Sequence, residues 1–73
     1  MYITIKGNIS DGIFDDFLKL IELHKFEFFG QYDTDEIKGD LMQNKYPFEN
    51  LKPFLINFCN RRKLEMIVSN LEK

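Results

Sequence analysis

The stretch FEFFGQYDTDEIKGDLM, residues 26–42, decides the fold of this chain. It opens with an aromatic-rich segment, residues 26–32, of the kind that favours a β-strand. Residues 33–36 are polar enough to turn the chain before a second apolar run over residues 37–42. The stretch is therefore predicted to form a β-hairpin.

The glycines of this stretch support the hairpin. Pairing Tyr32 with Ile37 also sets Gly30 opposite Gly39, with all four residues on one face. Two opposed glycines leave a notch in the sheet, and a bulky ring from the first helix, such as Phe17, is expected to lie there close to the backbone.

A helix is the alternative interpretation of the same residues. Thr34 can cap it, and Ile37 and Leu41 would lie one turn apart. Gly39 would destabilise such a helix by about 1 kcal/mol relative to Ala, which favours the hairpin. The sequence leaves open whether residues 34–45 form a strand or a helix.

Upstream of the hairpin, the pattern predicts a strand and then a helix. Residues 2–9 alternate between apolar and polar side chains, the period of a half-buried strand. Ser10 and Asp11 can cap a helix over residues 12–25. Its apolar stripe comprises Ile13, Phe14, Phe17, Leu20, Ile21 and His24.

Downstream of the hairpin, a second helix and a last strand are predicted. Asn50 is the expected cap, and Pro53 falls in the first turn, where a missing N–H is tolerated. The basic run at residues 61–63 ends the helix, and residues 64–71 form the strand. The apolar stripe of this helix comprises Leu51, Phe54, Leu55, Phe58 and Cys59.

These elements follow one another in the order βαββαβ. Right-handed crossovers then place both helices on one face of a four-stranded antiparallel sheet. The sequence therefore predicts a single small α+β domain over residues 1–73, a ferredoxin-like sandwich whose second sheet face is uncovered.

Composition narrows the class of protein. Eight Phe and three Tyr side chains supply enough apolar surface to form a core in a chain of 73 residues. The lone cysteine, Cys59, excludes an intrachain disulfide, and we expect a cytoplasmic protein. Neither a signal-like N-terminus nor an apolar stretch near ~18 residues is present, so no membrane partner is expected. The net charge of −2 argues weakly against a phosphate-rich partner.

Few side chains are suited to catalysis or metal binding. His24 is the only histidine, and its stripe position predicts a role in binding a carbonyl at the helix end. Cys59 lacks a third group that would orient a Cys–His dyad, so we interpret it as packing. Asp33, Asp35 and Glu36 lack the spacing of a cation-binding loop and are expected to be solvated turn residues. No catalytic residue, cofactor or metal site is predicted.

Phosphate recognition has little support in the sequence. The glycines are scattered and form no phosphate-binding loop. Arg61, Arg62 and Lys63 form a basic cluster, but at the end of a helix they are expected to complement its dipole. Whether they also bind phosphate is left open.

The uncovered sheet face is the main functional candidate. We expect a non-enzymatic binding protein, a regulator or inhibitor, that docks on a protein partner or self-associates through this face. The alternative is a nucleic-acid-binding domain that uses basic residues for phosphates and sheet aromatics for stacking. The candidate partner-binding residues are Tyr2, Lys6, Phe29, Lys38, Met42 and Ile67.

Overall fold

A computed structural model describes residues 1–42 and 47–69. Two strand–helix–strand halves follow one another in these ranges, as the sequence predicts. The strands are β1 (Tyr2–Lys6), β2 (Glu27–Tyr32), β3 (Glu36–Met42) and β4 (Glu65–Ser69). The helices are α1 (Asp11–Leu23) and α2 (Lys52–Arg61), and a short 3₁₀ turn, Phe48–Asn50, precedes α2.

The four strands form one sheet in the order β2-β3-β1-β4, and every neighbouring pair is antiparallel. Ile3 and Ile5 of β1 point to the face on which Phe17 of α1 and Leu55 of α2 pack, so both helices share one side of the sheet. This arrangement confirms the predicted α+β, ferredoxin-like fold. The helices of the described ranges are too short and too polar to cross a membrane.

The predicted hairpin is present, and its register is the predicted one. Tyr32 pairs with Ile37 and Gly30 with Gly39. The helical interpretation is therefore wrong for the part of residues 34–45 that the structure describes, since β3 runs through Met42. Residues 43–45 lie outside the described ranges.

The glycine notch is filled by a different ring from the one expected. A Cβ built on Gly39 would lie 2.8 Å from Cζ of Phe28, and one built on Gly30 would lie 2.7 Å from the same atom. Phe28 points to the same face two residues before Gly30, so its ring folds along its own strand over the notch. Phe17 packs edge-on against Phe28 instead, with the ring centroids 5.0 Å apart.

Helix α1 begins at Asp11, one residue before the predicted start, and ends slightly earlier than predicted. The Ser10 hydroxyl accepts a hydrogen bond from the N–H of Ile13 at 3.2 Å, so Ser10 is the cap. The helix ends at Leu23 rather than residue 25, because Lys25 adopts a left-handed conformation with φ of 67°. Left-handed backbone at this position is a common way to end a helix.

Helix α2 begins differently from the prediction. Asn50 lies in the 3₁₀ turn, and the N-cap is Leu51, whose side chain is fully buried. The Leu51 carbonyl accepts hydrogen bonds from the N–H groups of Phe54 at 3.0 Å and Leu55 at 3.1 Å. Since the 3₁₀ turn leads directly into the helix, no side-chain cap bond forms, and the predicted cap role of Asn50 is wrong.

Phe54 is the exception in the predicted apolar stripe of α2. Leu55, Phe58 and Cys59 are buried, but Phe54 is 51% exposed. It lies at the margin of the stripe and contacts the His24 ring at the end of α1, with 4.5 Å between the ring centroids.

The first and last strands are shorter than predicted. β1 stops at Lys6 because Gly7, with φ of 145°, turns the chain, although Ile9 is still buried. β4 starts at Glu65, since the Leu64 N–H still bonds the Cys59 carbonyl of α2 at 2.8 Å. The predicted extension of β4 to residues 70–71 lies outside the described ranges.

Candidate partner-binding face

The candidate site is the open face, defined as the strand side chains that point away from the helices. In the described part of the chain no helix packs against it. Strand alternation and the observed register place all six predicted residues there: Tyr2, Lys6, Phe29, Lys38, Met42 and Ile67. The sequence therefore located the side of the sheet correctly, while the binding role of these residues remains a prediction.

The large apolar side chains of the open face do not form one patch. Phe29 on β2 is 60% exposed and Met42 on the adjacent β3 is 51% exposed. Phe29 pairs with Asp40 and Met42 pairs with Glu27, so the two apolar side chains are diagonal neighbours. We call these four residues the Phe29 corner.

Ile67 lies apart from this corner. It is on β4 at the opposite edge of the sheet and pairs with Thr4 of β1. Three inter-strand spacings, about 14 Å, separate β2 from β4. Tyr2, which is half-buried, lies between the two edges and pairs with Asp40. The structure thus brings Phe29 and Met42 together and leaves Ile67 as part of a different surface.

Both lysines of the open face have acidic neighbours. Lys6 pairs with Glu36 on one adjacent strand and with Glu65 on the other. The Lys38 ammonium lies 3.2 Å from the Glu36 carboxylate. The hydrogen bond from Lys38 to Glu36, together with the charge of that carboxylate, raises the pKa of Lys38.

The strands of the open face carry more acidic than basic side chains. Its two lysines are outnumbered by four carboxylates, which are Glu27, Glu36, Asp40 and Glu65. A phosphate backbone brought to this face would meet a net negative surface. The face is better suited to a partner that carries cationic side chains.

Within the basic cluster at the end of α2, Arg62 links the two helices. Arg62 donates a hydrogen bond to the Phe58 carbonyl at 3.2 Å, and its guanidinium lies 4.0 Å from the centre of the Phe58 ring. It also lies 3.5 Å from the Asp16 carboxylate of α1. Arg61 is exposed in the last turn, and Lys63 adopts a left-handed backbone conformation just beyond it.

His24 contacts a main-chain carbonyl, and Cys59 is buried. Nδ1 of His24 lies 3.0 Å from the Leu20 carbonyl, which matches the predicted role of His24 at the helix end. Burial raises the pKa of Cys59 to about 11, and the charge of Arg62 offsets this only in part. The thiol is therefore protonated at neutral pH, and a protonated thiol is a poor nucleophile.

The Asp33 carboxylate of the hairpin turn binds backbone groups. The Asp33 carboxylate accepts hydrogen bonds from the N–H groups of Asp35 at 2.8 Å and Glu36 at 3.1 Å. Asp33 is thus a turn residue, as predicted, whereas Glu36 is the first residue of β3 and not a turn residue. Within residues 1–42 and 47–69, no three His, Cys, Asp or Glu side chains are grouped so that they could hold a metal ion.

One polar contact near the hairpin was not foreseen from the sequence. The Tyr32 hydroxyl donates a hydrogen bond to the Asp11 carboxylate, which raises the pKa of Tyr32. The Tyr32 ring also stacks on Phe14, with 4.1 Å between the centroids. This contact ties the end of β2 to the start of α1, and no local pattern signals a pairing across 21 residues.

The open face and its charge pattern must carry the functional inference. No protein-family model matches this chain, and searches of curated proteins and of solved structures found no significant similarity. The geometry supplies an exposed aromatic corner on an acidic sheet face, opposite a side on which both helices pack.

Proposed function

We propose that this chain is a non-enzymatic binding domain, a regulator or inhibitor, that docks on a protein partner through its open face. The observation that carries the proposal is the Phe29 corner, where a ring that is 60% exposed stands beside the half-exposed Met42. Burying such a ring against a partner contributes roughly 1–2 kcal/mol from the hydrophobic effect alone. Exposed aromatics of this kind often act as interface anchors.

The position of Phe29 makes it a suitable anchor. It lies in the middle of β2, and the residues before and after it, Phe28 and Gly30, both pair with β3. A ring held on a paired strand loses less conformational freedom on binding than a ring on a loop. The anchor is therefore largely pre-organised.

The charges around the anchor indicate the chemistry of the partner. Glu27 and Asp40 flank the apolar side chains of the corner. An interface of this type has an apolar centre and a polar rim, and complementary charges speed association and select the partner. We infer that the partner has an apolar pocket bordered by Lys or Arg side chains.

Nucleic-acid binding is the alternative function, and it has less support. It would use Lys6 and Lys38 for phosphates and Tyr2 or Phe29 for base stacking. Both lysines, however, already lie beside carboxylates, as described above. Catalysis has no part in the proposal, because the Cys59 thiol is buried and the His24 ring is bonded to a main-chain carbonyl.

A capture experiment with matched variants tests the proposal. The tagged wild-type chain is incubated with an extract of its source cells, beside the variants Phe29→Ala and Leu23→Ala. Leu23 is the matched control because it is an apolar side chain, 73% exposed, on α1 at the helix side. We expect a protein that resists nuclease treatment, is lost with Phe29→Ala and is retained with Leu23→Ala.

Other outcomes of the capture experiment contradict the proposal. Equal retention by all three chains would mean that the Phe29 corner is not the anchor. A partner lost after nuclease treatment would favour nucleic-acid binding instead, and its affinity should then fall steeply with salt. Once a protein partner is identified, Asp40→Lys should slow its association, since the substitution reverses a charge at the rim.

A further inference from the structure

The edge of the sheet at β4 carries a second apolar surface. Among the described residues β4 pairs only with β1, so one side of its backbone has no strand partner. Ile67 and Val68 are 41% and 37% exposed on this strand. Ile67 points to the open face, whereas Val68 points to the helix side and lines a cleft together with Ile56 of α2, which is 40% exposed. An unpaired strand edge with exposed apolar side chains is suited to pairing with another strand.

An open cleft connects the strand edge with the helix. It has a volume of about 500 Å³ and lies between α2 and β4. Its apolar lining comprises Ile56, Cys59, Leu64, Met66 and Val68. The strand edge and the helix face therefore form one continuous surface, which we call the β4 edge.

The charges of the two sheet edges differ. At the β2 edge, Asp11 and Asp15 of α1 line the neighbouring cleft, and Glu27 begins the strand. Two copies that met there would bring several carboxylates together, which is unfavourable. At the β4 edge, Glu65 is the only charged residue of the strand, and the cleft lining adds one cation, Lys52, so the two charges are of opposite sign. The β4 edge is thus the one that two copies of the chain can share without like charges meeting.

We propose that two copies of this chain pair antiparallel through their β4 edges, forming a two-fold dimer with a continuous eight-stranded sheet. With the axis at Ile67, each Ile67 faces its counterpart and each Met66 faces Val68 of the other copy. Glu65 then faces the neutral Ser69. The strand is self-complementary in this register, as a two-fold interface requires.

The helix side of the β4 edge is self-complementary as well. Lys52, Ile56 and Asn60 lie four residues apart along α2 and border the cleft. When two such faces meet antiparallel, Ile56 contacts Ile56 and each Lys52 comes near the neutral Asn60. The dimer therefore has an apolar centre without opposed like charges. One five-residue strand and one helix face make a small interface, so we expect a weak dimer.

Sedimentation of the full chain over a concentration range tests the dimer. We expect the wild type to shift from monomer to dimer as concentration rises, and Ile67→Lys to weaken dimerisation by roughly tenfold or more, since two lysines would meet at the axis. Ile67→Glu should have the same effect. An equimolar mixture of the two variants should recover a heterodimer, because Lys then faces Glu.

Two further variants keep the test decisive. Ile56→Lys should also weaken the dimer, and it changes the helix rather than the strand. Phe29→Ala should leave dimerisation unchanged, so that failure of the dimer is distinguishable from failure of the open-face proposal. The dimer is overturned if the wild type stays monomeric at every concentration, or if the mixed Ile67 variants, folded by circular dichroism, fail to associate.

Discussion

The two strand–helix–strand halves of the molecule end their helices in the same way but begin them differently. In β1-α1-β2, the last turn is closed by hydrogen bonds from Lys25 N–H to the Glu22 carbonyl and from Phe26 N–H to the Ile21 carbonyl, both at 3.0 Å. In β3-α2-β4 the equivalent bonds run from Lys63 at 3.3 Å and Leu64 at 2.8 Å. Each half thus closes its helix with the same backbone motif.

The starts of the helices show where each one obtains its stability. α1 has a polar cap, Ser10, which is exposed and bonds a free N–H of the first turn. α2 has instead the buried Leu51 at the cap position and no side-chain cap bond. The start of the first helix is therefore fixed by a local polar cap, whereas the start of the second is fixed by the packing of Leu51 in the core. Substitutions at the two starts should differ in cost accordingly.

The largest effect is expected at the start of α2. Leu51→Ala should lower the free energy of unfolding by about 3 kcal/mol, because it removes a fully buried side chain and leaves a cavity at the point that fixes the helix. Urea unfolding followed by circular dichroism measures the change. Asn50→Ala is the control, and it should have an effect within about 0.5 kcal/mol because Asn50 is exposed and makes no cap bond.

Two outcomes would contradict this comparison of the helix starts. If Asn50→Ala cost as much as a normal helix cap, α2 would depend on a local polar cap after all. If Leu51→Ala cost under about 1 kcal/mol, packing at Leu51 would not position the helix.

The next largest effect is expected where the two halves meet. Gly30 of the first half faces Gly39 of the second, and a Cβ on Gly39 would lie 2.5 Å from the Gly30 Cα. Gly39→Ala should therefore destabilise the fold by about 2–3 kcal/mol, since the clash is with backbone as well as with the Phe28 ring. Thermal and urea unfolding both report the change.

Gly12→Ala is the matched control for the glycine pair. A Cβ at Gly12, in the first turn of α1, meets only the Ser10 hydroxyl at 3.8 Å, an ordinary contact. Alanine is favoured over glycine in a helix, so Gly12→Ala should leave stability unchanged or raise it by up to about 1 kcal/mol. Equal loss at Gly12 and Gly39 would mean that the close strand approach is not the cause.

The prediction from sequence succeeded where the signal is local. Alternation with a period of two, a serine before an amphipathic run and two glycines in register are visible within a few residues, and they gave the strands, the start of α1 and the hairpin. The element order then gave the topology, because right-handed crossovers leave few arrangements of βαββαβ.

The features that the sequence did not reveal depend on contacts between distant residues. The position of Leu51 at the N-cap and the exposure of Phe54 depend on how α2 packs against the rest of the fold, and the periodicity of α2 alone sets neither of them. The bond from Tyr32 to Asp11 and the ion pair of Arg62 with Asp16 join different elements.

The arrangement of the candidate site also depends on contacts between residues that are distant in sequence. Alternation along each strand places residues on the open face, but the grouping across strands requires the register of β1 with β3 and of β1 with β4. That register separates Ile67 from Phe29 and puts Glu36 and Glu65 beside Lys6. The sequence pattern alone therefore could not show that the face is acidic around its lysines.

A smaller effect is expected at the start of α1. Ser10→Ala should lower the free energy of unfolding by about 1 kcal/mol, since one N–H of the first turn loses its partner. Ser10→Asp should retain most of the stability because its carboxylate also accepts that bond. Urea unfolding measures both variants, and an equal loss in the two would contradict a capping role.

The smallest effect is expected at the shared helix ends, and it is stabilising. Lys63 has φ of 57° and Lys25 has φ of 67°, a left-handed conformation that costs a residue with a Cβ about 1–2 kcal/mol. Lys63→Gly should raise the free energy of unfolding by roughly 0.5–1 kcal/mol after the greater unfolded-state entropy of glycine is subtracted. Lys63→Ala removes the lysine charge but keeps a Cβ in the left-handed conformation. It should therefore give no gain in the free energy of unfolding. Lys25→Gly should also raise the free energy of unfolding. Any difference between the increases in the two glycine variants measures what the lysine side chains themselves contribute to the stability of each half.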